Sequence, residues 1–324
     1  MKKLDSILRD VKYSSSASDS YRAEQKLRAE VSMTFSDAIC EHLAEYKRGM
    51  LGVIDDGIFR YRGKDIPKPH ILPIRERQLN ILDRYRSQFF ASEYSKIHFH
   101  RYFHHLNSSQ AMCINLFYPL INENALGLIM RFLDIRRASE LRPWFEKESE
   151  LEIADRRTSF DFHIAHSGEN HVFFEIKYTE RDFGKAKNDD EHSKKFKTTY
   201  LPLLKQSTYL SERCHDESFF LSRYQMIRNL VHLASNAHIV LLFPSANSGV
   251  AQQAAEAYDH FLTDAGRSRL KIIFLEGLVS FIEANCSTAS LVEYFGQFRD
   301  KYLPPFASVS SQTLNRTSRK RAAG

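Results

Sequence analysis

The stretch Arg156 to Glu180, RRTSFDFHIAHSGENHVFFEIKYTE, carries two runs of β-branched and aromatic residues around a polar turn. Thr158 to Ala165 and His171 to Tyr178 read as strands, with His166-Ser167-Gly168-Glu169-Asn170 supplying the turn chemistry of a hairpin. Period-two alternation sorts their faces. Thr158, Phe160, Phe162 and Ile164, with Val172, Phe174, Ile176 and Tyr178, make an apolar surface suited to a core. Ser159, Asp161, His163, Phe173, Glu175 and Lys177 take the other side. With the turn centred on Gly168, Asp161 lies opposite Glu175, Ser159 opposite Lys177 and Phe160 opposite Ile176.

Directly opposed carboxylates destabilise a sheet unless a cation offsets them. Two carboxylates with a nearby backbone carbonyl suit Mg²⁺ or Mn²⁺, which prefer hard oxygen ligands. A Glu-x-Lys tripeptide alone carries little weight, since Glu24-Gln25-Lys26 and Glu45-Tyr46-Lys47 also fit. Those matches fall in a polar, helix-like segment and read as solvated, as does the Asp-form match Asp10-Val11-Lys12. Only Glu175-Ile176-Lys177 ends an apolar strand and follows a strand-borne Asp.

An Asp on one strand and Glu-x-Lys on the next resembles the PD-(D/E)xK phosphodiesterase superfamily, with its restriction-endonuclease-like fold. The chain departs from the motif's name in having Phe160 where proline would precede the Asp. HLNSSQAMCINLFYPL at His105 to Leu120, EIKYTE at Glu175 to Glu180 and YQMIRNL at Tyr224 to Leu230 further resemble a bacterial family of restriction-endonuclease-like proteins. The resemblance implies that Asp161, Glu175 and the Ile176 carbonyl hold metal, and that Lys177 positions or helps deprotonate the attacking water. It implies a polar helper on a later helix, for which Gln225 is the candidate. It also implies phosphodiester hydrolysis leaving 5′-phosphate ends.

With 324 residues, 43% hydrophobic and 27% charged, the chain has the composition of an ordinary globular protein rather than a disordered one. No apolar run approaches a bilayer span, and MKKLDSILRD has no apolar segment after its lysines, so the reading is a cytoplasmic protein. Cys40, Cys113, Cys214 and Cys286 are far apart and form no CxxC pair, which argues against a disulfide framework or a zinc knuckle. A net charge of +6 and a pI near 9.0 favour a polyanion partner mildly.

Along the chain, Leu27, Val31, Phe35, Ile39 and Leu43 recur every four residues and predict a packing helix over Tyr21 to Lys47. Leu51 to Leu72 reads as a small hairpin and an extended crossing, and Arg75 to Tyr94 as helical. His98, His100, His104 and His105 invite a metal reading, but the aromatics between them match an ordinary packed segment. Ser108 or Ser109 caps a helix through Ala111 to Leu120, from which Gln110 or Asn115 can reach a site. The acidic run Glu146, Glu148, Glu150 and Glu152 is an alternative source of an extra active-site residue, although such a run is usually a solvated face. Arg181 to Lys197 reads as an exposed charged loop. Phe219 to Ala234 predicts a helix on which Gln225 and Arg228 share a face.

The strands at His238 to Pro244 and Leu270 to Leu275 alternate with helical segments, which predicts parallel pairing. The expected fold is α/β: a restriction-endonuclease-like central mixed sheet flanked by helices, with a mostly helical N-terminal region. Three parts are expected: residues 1–95 as that region, 96–304 as a PD-(D/E)xK nuclease-like domain, and 305–324 as a basic disordered tail. The functional expectation is a Mg²⁺-dependent endonuclease acting on DNA, with Mn²⁺ as a substitute metal. A binding module that keeps the fold without turnover, and the same chemistry on RNA or branched DNA, stand as alternatives. Cutting both strands with one site per chain favours a homodimer.

Overall fold

The computed structural model describes residues 33–135, 140–152 and 157–305. The expected helix before residue 33 with Lys26, the Asp10-Val11-Lys12 match and the tail after residue 305 lie outside those residues.

Helix α1 (Phe35–Gly49) begins where the Thr34 hydroxyl accepts a bond from the Asp37 N–H, and it buries Ile39 and Leu43. The small hairpin follows as β1 (Gly57–Tyr61) and β2 (Lys64–Lys68), antiparallel, turning at Arg62 and Gly63. The predicted Arg75 to Tyr94 helix is broken into a 3₁₀ segment (Ile74–Asn80), α2 (Asp83–Ala91) and a second 3₁₀ turn (Glu93–Lys96). Helix α3 (Ser109–Asn122) is capped by Ser108, as its sequence suggests, and is almost wholly buried.

The main sheet has the order β3 (Leu141–Glu148), β4 (Ser159–His166), β5 (Asn170–Ile176), β6 (Ala237–Phe243) and β7 (Leu270–Phe274). Its first three strands are antiparallel neighbours and its last two add in parallel. The β4–β5 register is the one predicted: Phe162 pairs with Phe174 and His166 with Asn170 around Ser167 and Gly168. Both turn residues have positive φ, 42° and 80°, a conformation that costs glycine nothing.

Two cores cover the sheet. One face packs Phe162, Ile164, Val172, Phe174, Val240 and Leu242 against α1, α3 and the C-terminal helices α7 (Leu275–Asn285) and α8 (Ala289–Tyr302). The opposite face packs Ile239, Leu241 and Phe243 against α4 (Glu217–Ser222), α5 (Tyr224–Leu230) and α6 (Ser248–His260). Phe117 of α3 stacks on Phe162 with centroids 3.9 Å apart. Burying one such ring contributes roughly 1.5–3 kcal/mol, so this contact fixes α3 firmly on the sheet.

Three expectations need correction. Phe160 does not share a face with Phe162; it enters the opposite core and lies 4.6 Å from the Phe173 ring. The alternation therefore slips between the two phenylalanines at Asp161, although the β3–β4 pairing keeps the same register on either side of it, with Asp161 and Glu146 both left out. The predicted Phe219 to Ala234 helix breaks at Arg223 into α4 and α5. Lys47 is not solvated but fully buried, donating to Asp55 O at 2.8 Å, Asp56 Oδ1 at 3.0 Å and Ile71 O at 3.2 Å.

Candidate active site

Three strands end together where β4 begins and β5 finishes. The Lys177 N–H continues the parallel ladder by donating to Leu242 O at 3.0 Å, which holds the residue after β5 in strand geometry. Its ammonium stands 2.8 Å from Glu175 Oε1, and both side chains are nearly buried. Gln225, near the start of α5, joins them: its Nε2 donates to Glu175 Oε1 at 2.7 Å and its Oε1 accepts from Lys177 Nζ at 3.3 Å. Each of the three groups thus fixes the other two. Gly184 (φ +89°) passes under Gln225, and a Cβ there would meet Gln225 Oε1 at 3.3 Å.

The β4–β5 pairing ends at Phe162–Phe174, one step before the expected Asp161–Glu175 pair, and Asp161 reaches β5 through its side chain. Its Oδ2 accepts from the Ile176 N–H at 2.6 Å, so the carboxylate replaces a backbone partner at the point where the β4–β5 ladder stops. Cys113 of α3 donates to the Asp161 carbonyl at 3.5 Å.

A third carboxylate arrives from β3. Glu146 lies in the gap between the pairs Phe145–Phe162 and Lys147–Phe160, with φ +51°. A non-glycine residue in that region costs of order 1–3 kcal/mol and persists only where its surroundings hold it. Here Gln110 Nε2 donates to Glu146 Oε1 at 2.7 Å and the Ser159 hydroxyl donates to Oε2 at 3.2 Å. Gln110 is itself held by the His100 N–H and the His98 carbonyl.

These groups line a cleft of about 540 Å³, with Asn107, Thr179, Glu180 and His98 among its other walls. Its electrostatics are lopsided. Burial, then the charges of Glu175 and Glu146, push the Asp161 carboxyl well above the ordinary range. Burial also raises Glu146, against the opposing pull of hydrogen bonds from Gln110 and Ser159. For Lys177, burial opposes the charged form, but Glu175, Glu180 and Asp161 outweigh it and hold the pKa above that of a free lysine. Four carboxylates, Glu146, Asp161, Glu175 and Glu180, line the cleft with the one ammonium of Lys177, which leaves a surplus of negative charge there. Among the described residues, however, no three His, Cys, Asp or Glu side chains are already arranged as a metal cage.

The other candidates fall elsewhere. Asn115 faces the core, bonded to the Leu82 N–H, Asn80 O and the Tyr302 hydroxyl. Glu152 is buried against Thr158, Tyr200 and Arg228. That contact also separates Arg228 from Gln225: the two share a helix, but only Gln225 reaches the cleft. Glu148 and Glu150 line a small separate cavity. His98, His100 and His105 border this cleft, while His104 lines another groove. Asn107, Thr179 and Glu180 were not singled out from sequence, although Glu180 follows the Glu-x-Lys strand by only three residues.

A mixed five-stranded sheet with carboxylates and a lysine gathered at its central hairpin defines a restriction-endonuclease-like α/β protein. A scan against protein families matches residues 41–303 to the family described as Restriction Endonuclease associating with ARP, and the chain belongs to that family. Searches of curated proteins and of solved structures give no match. Among the described residues no helix is long and apolar enough to cross a membrane.

Proposed function

We propose that the chain is a metal-dependent endonuclease that hydrolyses phosphodiester bonds in DNA and leaves 5′-phosphate ends. The observation that carries this reading is that Asp161, Glu175 and Glu146 line one cleft together with Lys177, whose ammonium stands 2.8 Å from Glu175 Oε1. The donor set is hard oxygen, which fits Mg²⁺ or Mn²⁺ and not a soft metal. Asp161, Glu175 and the Ile176 carbonyl would hold the ion, with Glu146 beside them. A bound ion supplies Lewis-acid polarisation of the phosphate and lowers the pKa of its water.

The remaining work belongs to the side chains. Lys177 stays protonated because Glu175, Glu180 and Asp161 outweigh its burial, so it serves as a hydrogen-bond donor to the phosphate and not as the base. It acts where negative charge grows as water adds to phosphorus and the P–O3′ bond breaks, the 3′ oxygen leaving with a proton. Gln225 orients Glu175 and Lys177 together. Asp161, whose carboxyl binds a proton readily, must release it when a cation arrives. A double-strand cut from one site per chain calls for two copies.

The test is incubation with plasmid DNA, short duplexes, branched DNA and RNA, with and without Mg²⁺ or Mn²⁺. Cleavage of DNA that depends on the ion, with 5′-phosphate ends, is the expected result. Binding of DNA with no turnover under any metal would overturn the enzymatic reading, and cleavage of RNA alone would overturn the substrate.

A further inference from the structure

The active cleft cannot hold a polyanion by itself. Its acids outnumber its lysine, so a nucleic acid must be gripped by positive charge placed beside it. The β1–β2 hairpin supplies such charge. Arg60, Arg62, Lys64 and Lys68 stand on it against the single acid Asp65, and Arg60, Arg62 and Lys64 are exposed.

The hairpin is anchored to the cleft wall. The Gly57 N–H donates to Ile71 O at 2.9 Å, the Leu72 N–H to His104 O at 3.0 Å and the Leu106 N–H to His70 O at 3.2 Å. The backbones pack so closely that a Cβ at Gly57 would lie 2.2 Å from Leu72 O. On its inner side Phe59 lies 5.8 Å from the Tyr102 ring and 5.9 Å from His105, which borders the active cleft. A groove of about 760 Å³ runs beneath the hairpin, lined by Ile58, Arg60, Ile74, Arg75, Arg101 and Tyr102. Tyr102 lines both the groove and the cleft, so one residue borders the two.

The positive charges of the hairpin and of the groove beside it are available. Arg62, Lys64 and Arg101 pair with no carboxylate among the described residues; Arg62 lies over the Tyr61 ring and Arg101 over Tyr102. Arg60 pairs with Asp65 and Arg75 with Asp55, but all four side chains are at least half exposed. Exposed pairs of this kind contribute little and yield readily to phosphate. A two-stranded β-ribbon also has the width to enter the major groove of a duplex.

We propose that the β1–β2 hairpin and the groove beneath it grip double-stranded DNA beside the catalytic cleft, through phosphate contacts from Arg62, Lys64 and Arg101. The inference rests on the nuclease reading for its choice of DNA, but its test reads binding and not cleavage. Full-length wild type, the triple variant Arg62→Ala/Lys64→Ala/Arg101→Ala, and a control triple Lys194→Ala/Lys205→Ala/Arg213→Ala are titrated against a fluorescent DNA duplex in EDTA at several salt concentrations. The control residues are exposed and line neither cavity. The hairpin triple is expected to bind about tenfold or more weakly, with a salt slope shallower by about 2 to 3, while the control stays near wild type. Single reversals Arg62→Glu and Arg101→Glu repeat the test with less change to the surface. Equal affinity and equal slope for wild type and all hairpin variants overturn the inference while leaving the catalytic assignment standing. A loss seen with an RNA duplex but not with DNA overturns it as well. A loss of DNA binding in a protein that never cleaves sinks the nuclease reading and keeps the hairpin.

Discussion

The Ile176 N–H donates to Asp161 Oδ2 at 2.6 Å, a side chain taking the place of a ladder carbonyl where β4 and β5 part. That bond ties the aspartate to the same strand that carries Glu175 and Lys177, so the acids are held together although they repel. A bound cation would offset that repulsion.

Adding millimolar Mg²⁺ or Mn²⁺ is therefore expected to raise the melting temperature, and Asp161→Asn to remove most of the rise. In the metal-free protein the folded Asp161 carboxyl binds its proton more tightly than the unfolded one. Its contribution to stability is thus complete below the ordinary carboxylate pKa of about 4 and is lost as pH rises through the folded value. Metal-free Asp161→Asn should melt higher than wild type at neutral pH and show a weaker decline with rising pH. A wild-type melting curve indifferent to metal, with and without DNA, would count against an ion at this site.

Glu146→Gln should lower cleavage by about 10²-fold or more, as expected when a positioned charged group is lost from a catalytic site. The same change should raise metal-free thermal stability, because Gln keeps a hydrogen-bonding group beside Gln110 and removes a charge facing Glu175. Unchanged single-turnover rates would place Glu146 outside the chemistry.

Gly184→Ala probes Gln225 without touching it. An alanine at φ +89° is strained, and its Cβ would press on Gln225 Oε1. Cleavage should fall roughly tenfold, with Gln225→Ala producing a loss of similar size. The two changes combined should cost little more than either alone, since both act through one side chain. Additive losses would show that Gly184 acts by another route.

Lys47→Ala is expected to destabilise the fold by about 2–4 kcal/mol in urea unfolding, because it strips donors from Asp55 O, Ile71 O and Asp56. Cleavage per folded molecule should not change. A neutral effect on stability would contradict the burial of this lysine.

The hairpin was legible because its cues are local: strict alternation, a Gly at the turn, and an Asp and Glu-x-Lys at matching distances from it. Its neighbour β3 was not, since LRPWFEKE carries a proline and four charges and reads as a solvated run. An edge strand tolerates Pro143 because one side of it needs no ladder partner. Glu146 was therefore weighed only as one acid among four, and what distinguishes it, a left-handed backbone opposite Asp161, leaves no trace in sequence. Phe160 was sorted to the wrong face because alternation cannot reveal a slip. Lys47 was misread because its partners come from the chain beyond its helix, at Asp55, Asp56 and Ile71. Gln225 was legible as a polar residue on a helix after the Glu-x-Lys strand, yet its separation from Arg228 depends on the buried Glu152.

The proposed role of Lys177 is to stabilise charge at the scissile phosphate. Its most direct test is the single-turnover cleavage rate of Lys177→Ala on saturating duplex DNA at matched metal and salt, with duplex affinity measured in parallel. A rate loss of roughly 10² to 10⁴ with affinity close to wild type is the expected result. Cleavage within a few-fold of wild type would contradict it, even if the protein proves to be a nuclease.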